Sequence, residues 1–426
     1  MSLRHRQLLA LALTANALRP LRNVGAGVPA FVAGWMTSEL APQLLATTAL
    51  DAAAEVTLRR GRRGHPDAAG LAMAAVTTAG LGLMVRESLR SARRIESTLD
   101  DDLGADYLEV LDEPPTREDL RLHLRELAHP FRLDDPDVEV VRDVSYVPGV
   151  EARRARLDVY RPSGVDLDRA PVLVQVHGGA WTLGSKETQG LLLMNRMARR
   201  GWVCVALNYR LAPKHPFPAQ VVDVKHALAW VREHVEEYGG DPDYLVLTGG
   251  SAGGHLASLA ALTPHERQWQ PGFEDADTSV AACVPFYGVY DVGGLTGDKP
   301  AVAMRDKFLG PKVFQRDPAE DLEIFEQASP LARVTPEAPD FFVLHGDADT
   351  LVDVRQARAF VARLREVSRA SVTYAELPGA HHAFEVFSSI RSQHTVRAVE
   401  RWLLHHRAVW SRERTEQGTG TTSASA

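Results

Sequence analysis

From about Val138 onward the chain alternates between two hydrophobic patterns. Val138 to Val147 and Ala155 to Tyr160 alternate apolar and polar positions, which predicts half-exposed antiparallel strands. Short, nearly continuous apolar runs follow: Val172–Val176, Trp202–Leu207, Tyr244–Leu247, Val280–Tyr287, Phe341–Leu344 and Val372–Leu377. Helical stretches separate most of them, namely Ala219–Glu237, His255–Leu262, Val354–Val367 and Ser388–His406. Strands apolar on both faces and interleaved with helices predict an α/β fold, a mostly parallel twisted sheet covered by helices on both sides.

The first ninety-odd residues read differently. Val24 to Leu50 carries one charge, Glu39, and Ala68 to Val85 is uncharged over about eighteen residues, near the lower limit for a spanning helix. Arginines bracket both runs: Arg19 and Arg22, then Arg59, Arg60, Arg62 and Arg63, then Arg86, Arg90, Arg93 and Arg94. The pattern fits a two-span membrane hairpin; Ala- and Gly-rich helices lying on a membrane or docked on the rest of the chain as a cap are the alternative. With the flanks richer in arginine than the loop, the positive-inside rule puts the remainder of the chain on the cytoplasmic side. A secreted or cell-envelope protein is the other reading, since Leu8 to Leu18 behind Arg4 and Arg6 has signal-peptide proportions. Against it, Arg19 and Arg22 follow at once and no A-x-A-like cleavage site is evident.

These patterns divide the chain into an apolar helical, membrane-associated region (1–94), a charged linker with a cap helix entered at Thr116 (95–137), an α/β domain (138–410) and a low-complexity, disordered tail (411–426). Residues 291–335 lack a strand pattern and are expected, with a 116–133 helix, to form a lid. A net charge of -7 gives no reason to expect nucleic acid as a partner. Both cysteines, Cys204 and Cys283, lie in apolar runs and read as core thiols, and no His or Cys spacing indicates a metal or other cofactor.

Four segments carry chemistry. Gly249-Gly-Ser-Ala-Gly253 stands between a strand and a helix, where a tight, strained turn projects the Ser251 hydroxyl and the helix start aims N–H groups at developing negative charge. His177-Gly-Gly-Ala-Trp181 ends a strand with small residues whose N–H groups are unshielded, as an oxyanion site requires. His345-Gly-Asp-Ala-Asp349 ends another strand with two carboxylates, and Gly379-Ala-His-His-Ala-Phe384 follows the last strand. Serine is a poor nucleophile without a base, and the base needs a carboxylate to hold its tautomer and stabilise its cation.

With Asn208-Tyr-Arg-Leu-Ala-Pro and His215-Pro-Phe-Pro-Ala between the oxyanion motif and the elbow, residues from about 138 to 407 resemble the bacterial hormone-sensitive-lipase-like family of α/β-hydrolase esterases. The order Ser, Asp, His is also that of the α/β-hydrolase scaffold. With its apolar N-terminal region, the whole chain resembles the membrane-associated esterases of mycobacteria and related actinobacteria. The resemblance implies Ser251 as nucleophile, Asp349 as acid and His382 as base, and an oxyanion hole of Gly179, Ala180 and Ala252 N–H groups with Gly178 allowing the turn. Asp349 is preferred to Asp347 because it precedes Thr-Leu-Val, leaving Asp347 to cap the loop; His382 is preferred to His381 because it precedes Ala-Phe. His177, His255 and His345 are expected in local hydrogen bonds, and Trp181 and Phe384 either line the acyl pocket or belong to the core. The sequence departs from the family twice: Gly250 stands where many members carry an acid, and Ala180 where the third glycine is usual.

The implied activity is hydrolysis of short-to-medium acyl esters by a Ser-His-Asp triad through an acyl-enzyme, with an ester substrate and membrane lipid as partners. The alternatives are an arylformamidase-type amidase and a membrane-tethered scaffold without catalysis.

Overall fold

In the computed structural model the described residues are 2–21, 27–61, 65–111, 114–116, 119–147 and 154–422. Eight strands form one sheet: β1 (Val138–Ser145), β2 (Arg156–Pro162), β3 (Ala170–Val176), β4 (Val203–Leu207), β5 (Gly240–Gly250), β6 (Ala282–Phe286), β7 (Asp340–Gly346) and β8 (Val372–Leu377). Their spatial order is β1-β2-β4-β3-β5-β6-β7-β8. β1 and β2 pair antiparallel, β2 meets β4 antiparallel, and every later pairing is parallel. The alternating runs thus lie at one edge and the continuous apolar runs in the middle, where both faces of β3 to β7 are covered. This is the α/β-hydrolase arrangement.

Four helices precede the sheet: α1 (Leu3–Leu18), α2 (Gly27–Glu39), α3 (Ala41–Gly61) and α4 (Ala68–Leu103). The others are α5 (Leu124–Ala128), α6 (Leu191–Arg199), α7 (Ala219–His234), α8 (Ala252–Leu262), α9 (Lys299–Met304), α10 (Leu322–Gln327), α11 (Arg355–Val367) and α12 (Ile390–Thr422). Two clusters fill the sheet's faces. One gathers β-strand side chains with α7, α8 and α11; the other holds Trp202, Tyr244, Trp402 and Leu403, joined by Ile95 and Leu99 of α4. Cys204 and Cys283 are buried free thiols within these clusters.

The N-terminal region departs from the hairpin expectation. Val24–Leu50 does not form one span: it is divided at Leu40 between α2 and α3. Its lone charge, Glu39, is buried and pairs with Arg391 at the start of α12, while Ser389 Oγ donates to the same carboxylate at 2.7 Å. A carboxylate partnered by the sheet domain docks its helix there, because leaving lipid or water for a protein interior costs too much without that partner. Among the described residues one helix, α4, is long and apolar enough to cross a membrane by length and composition, and a third of its apolar window is covered by protein. Arg22, Arg62 and Arg63 lie outside the described residues.

Three other boundaries differ. α4 runs unbroken through residues 94 and 95, because Ile95 and Leu99 are buried in the core and Glu96 pairs with Arg401 at 2.7 Å. Among its described residues the 116–133 segment is helical only over α5. Thr116 and Asp119 do exchange cap-like hydrogen bonds, Thr116 N to Asp119 Oδ2 at 2.9 Å and Asp119 N to Thr116 Oγ1 at 3.3 Å, but residues 119–122 continue as a turn. α12 continues past residue 410 where a disordered tail was expected. Arg412 donates to the Val110 carbonyl at 3.1 Å and Arg414 lies over the Trp410 ring at 4.8 Å, contacts a composition count cannot register. Residues 423–426 lie outside the described residues. Residues 291–335 form α9, a π-helical stretch Arg305–Phe314 and α10, with Phe314 and Phe325 stacked at 4.3 Å inside the core.

Candidate active site

The loops after β3, β5, β7 and β8 leave the sheet at the same end, the carboxyl ends of the parallel strands, where open α/β sheets place their ligands. Backbone strain concentrates there. Five of the eight non-glycine residues with positive φ among the described residues are Ala180, Trp181, Ser251, Tyr287 and Ala383. Such conformations cost about 1–3 kcal/mol each and persist only where the surroundings enforce them.

Ser251 joins β5 to α8 with φ 58° and ψ -121°. Its N–H donates to the Phe286 carbonyl at 3.0 Å, and its own carbonyl accepts from His255 N–H at 2.9 Å as α8 begins. All of α8 is buried. Its approach to β3 is so close that a Cβ on Gly253 would lie 2.1 Å from the Val176 carbonyl oxygen, which leaves glycine alone able to stand there. Ser251 itself is half-buried, at the mouth of this turn. Ala252 opens the helix, and a first-turn N–H has no partner within its own helix.

Gly179 has φ 117°, and a Cβ there would meet the Leu183 carbonyl at 2.1 Å. Ala180 follows at φ 51°. Gly178, expected beside the oxyanion donors, has its N–H committed instead to Gln189 Oε1 at 2.6 Å. A Cβ on Gly178 would lie 3.3 Å from that of Ser251, which puts the two loops in contact.

Asp349 divides its oxygens. Oδ1 accepts from Leu351 N and Val352 N at 2.8 and 2.9 Å, which fixes the carboxylate plane, and Oδ2 accepts from His382 Nδ1 at 2.6 Å. Burial alone would raise this carboxyl; the neighbouring His382, then His345 at 3.3 Å, outweigh it and hold the group below the ordinary carboxylate range. With Nδ1 donating to a carboxylate, Nε2 is left as the acceptor nitrogen of the ring. Asp347 lies elsewhere and accepts from Gly379 N at 2.7 Å, a loop cap. His381 is also excluded from the pair: its Nε2 donates to the Ala17 carbonyl of α1 at 2.9 Å.

The remaining expectations fall on the core side. Trp181 is buried, and its indole N–H donates to His255 Nδ1 at 3.1 Å, while His255 Nε2 donates to the Ala328 carbonyl at 2.8 Å; burial pushes His255 down to about 4, so it stays neutral. His177 donates to Gly178 O at 2.7 Å and stacks on Tyr209 at 4.2 Å. His345 Nε2 donates to Val352 O at 3.0 Å. Phe384 is buried edge-on to Tyr287 at 5.3 Å. No group of three or more His, Cys, Asp or Glu side chains among the described residues is arranged to hold a metal ion.

Residues 157–364 match the BD-FAE family model. That match covers a little under half of this chain. The domain is similar to the probable carboxylic ester hydrolase LipM of Mycobacterium tuberculosis, 50% identical over 262 residues that cover 61% of this chain and 60% of that protein. It is also similar to the esterase LipQ of the same organism, 48% identical over 262 residues, 61% of each chain. The match thus spans about three-fifths of the length of these relatives. Among solved structures, a thermophilic esterase of Thermogutta terrifontis with propionate bound is 25% identical, with a TM-score of 0.52 over 63% of this chain and 94% of that one.

Residues around the Asp349–His382 pair were not legible in the sequence as neighbours of that pair. Phe31 of α2 stands edge-on to the His382 ring at 5.9 Å, and Trp35 stacks on Phe31 at 5.9 Å. Tyr287, directly after β6, lies against the same imidazole at 4.4 Å and donates its hydroxyl to the buried Glu385. The uninterrupted run Val280–Tyr287 hides its last residue among core positions. Glu39 carried the usable signal, a single charge in an apolar segment.

Proposed function

We propose that this chain is a serine carboxylesterase acting on short-to-medium acyl esters. The observation that carries it is the Asp349–His382 hydrogen bond at 2.6 Å at the same end of the sheet as a strained, half-buried Ser251. His382 Nε2 takes the proton of Ser251 as Oγ attacks the ester carbonyl. The Gly179, Ala180 and Ala252 N–H groups receive the oxyanion, where one donor is worth about 3 kcal/mol of barrier. The imidazolium returns the proton to the leaving alcohol; water then attacks the acyl-enzyme by the same route and releases the acid.

The apolar character of the substrate is supported by a chain of rings leading away from His382: Phe31, Trp35, then Phe387 at 5.3 Å from Trp35 and Phe131 at 4.9 Å from Phe387. Phe131 is exposed, so the chain of rings reaches solvent. Lipid is the second partner in this reading. The N-terminal layer exposes Leu8, Leu9, Val28, Val32, Val76 and Leu83. Together with its arginines this layer suits the anionic face of a cytoplasmic membrane leaflet.

Ser251→Ala should reduce turnover of p-nitrophenyl butyrate to background while the protein melts as before. Undiminished turnover by a folded Ser251→Ala protein would remove this reading.

A further inference from the structure

The Tyr287–Glu385 pair is used by no step above, yet it touches the base. We propose that Tyr287 and Glu385 are positioning residues for His382, holding the imidazole plane and tuning, through the charge of the carboxyl, how well the ring carries the proton taken from Ser251. The proposal rests on the serine-hydrolase reading and deepens it.

Three observations converge. The Tyr287 ring lies 4.4 Å from the imidazole at 53°, and its hydroxyl donates to Glu385 Oε1 at 2.5 Å, with Glu385 buried three residues beyond the base. Tyr287 at φ 38° and Ala383, next to the base, at φ 64° are both held in strained backbone. A Cβ at Gly250 would lie 2.6 Å from Tyr287 Oη, so a residue with a side chain before the nucleophile and this phenol exclude each other. Elbow, base and carboxyl therefore share one phenol.

The groups facing the Glu385 carboxyl are Tyr287 from the β6 loop and Glu39 from α2, whose own partner is Arg391 of α12; Asp349 acts on Tyr287 from the β7 loop. Burial foremost, and Glu39 in the same sense, push Glu385 up to about 7 against the pull of the Tyr287 hydrogen bond. The carboxyl consequently changes charge in the neutral range. Ionised, it sits one ring away from the imidazolium and stabilises it; protonated, it does not.

The test is the pH dependence of kcat/KM on p-nitrophenyl butyrate for the full chain, Glu385→Gln and Tyr287→Phe, with Ser251→Ala alongside and thermal melts for each. The ratio of wild-type to Glu385→Gln rates should rise through an inflection near pH 7, with the variant about tenfold slower at pH 8 and nearer to wild type at pH 6. Tyr287→Phe should move the inflection to higher pH, because the carboxylate loses its donor; this variant carries the test alone if Glu385→Gln does not fold. A Glu385→Gln or Tyr287→Phe profile displaced by one constant factor at every pH, or superimposed on wild type, would overturn the proposal and leave the pair a packing feature. If Ser251→Ala keeps its turnover, the serine reading itself fails, an outcome separate from those.

Discussion

At the scale of single residues, two buried carboxyls flank His382 and are perturbed in opposite directions. Asp349 is held below the ordinary range, so it contributes stability above about pH 4 that is lost as pH falls toward its folded value. Asp349→Asn should keep the loop, since a carboxamide oxygen can still accept from Leu351 and Val352, but its NH2 would turn the imidazole to the wrong tautomer. A kcat loss of about 10⁴-fold with KM little changed is expected from steady-state kinetics. Its Tm deficit should be constant from pH 6 to 8 and shrink below pH 4. Glu385 has the reverse sign. With its folded value raised to about 7, the fold binds the proton better than the unfolded chain, and stability falls as pH rises from the ordinary glutamate range through 7. Relative to wild type, Glu385→Gln should gain Tm progressively between pH 5 and 8; an unchanging difference across that interval would contradict the assignment.

At the scale of elements, α2 links the N-terminal layer to the site. Arg391 and Glu39 are both buried, and Glu39→Gln would strand the guanidinium at a cost of about 3–5 kcal/mol, limited by the cost of releasing α2. Denaturant titration should show that loss, and Trp35 fluorescence should shift to the red as the helix leaves Phe387. Phe31→Ala should cut kcat/KM for octanoyl esters about tenfold more than for acetyl esters, because the ring supplies apolar wall beside the base. The sheet was readable in advance because each core strand needs an unbroken apolar run, and the elbow because Gly253 has no alternative to glycine. The fate of α2 was not readable. Its apolar composition suits lipid and protein equally, and the partner that decides between them, Arg391, lies some 350 residues away.

For the whole molecule, the N-terminal layer and the hydrolase domain share a core. Deleting residues 1–103 would remove Ile95 and Leu99, each fully buried, at about 1.5–3 kcal/mol apiece, together with the Glu96–Arg401 pair. That truncation should lower Tm or prevent soluble folding. The intact chain, by contrast, should float with anionic phospholipid vesicles and be released as salt is raised, since its exposed leucines and arginines act together. All of this presupposes that three strand-end loops assemble one nucleophile. The most direct measurement is mass spectrometry of the full chain after reaction with a fluorophosphonate. One adduct per chain should form, localise to the Ser251 peptide and be slowed by Asp349→Asn. A folded protein that stays unmodified, or carries its adduct on another residue, would contradict the account.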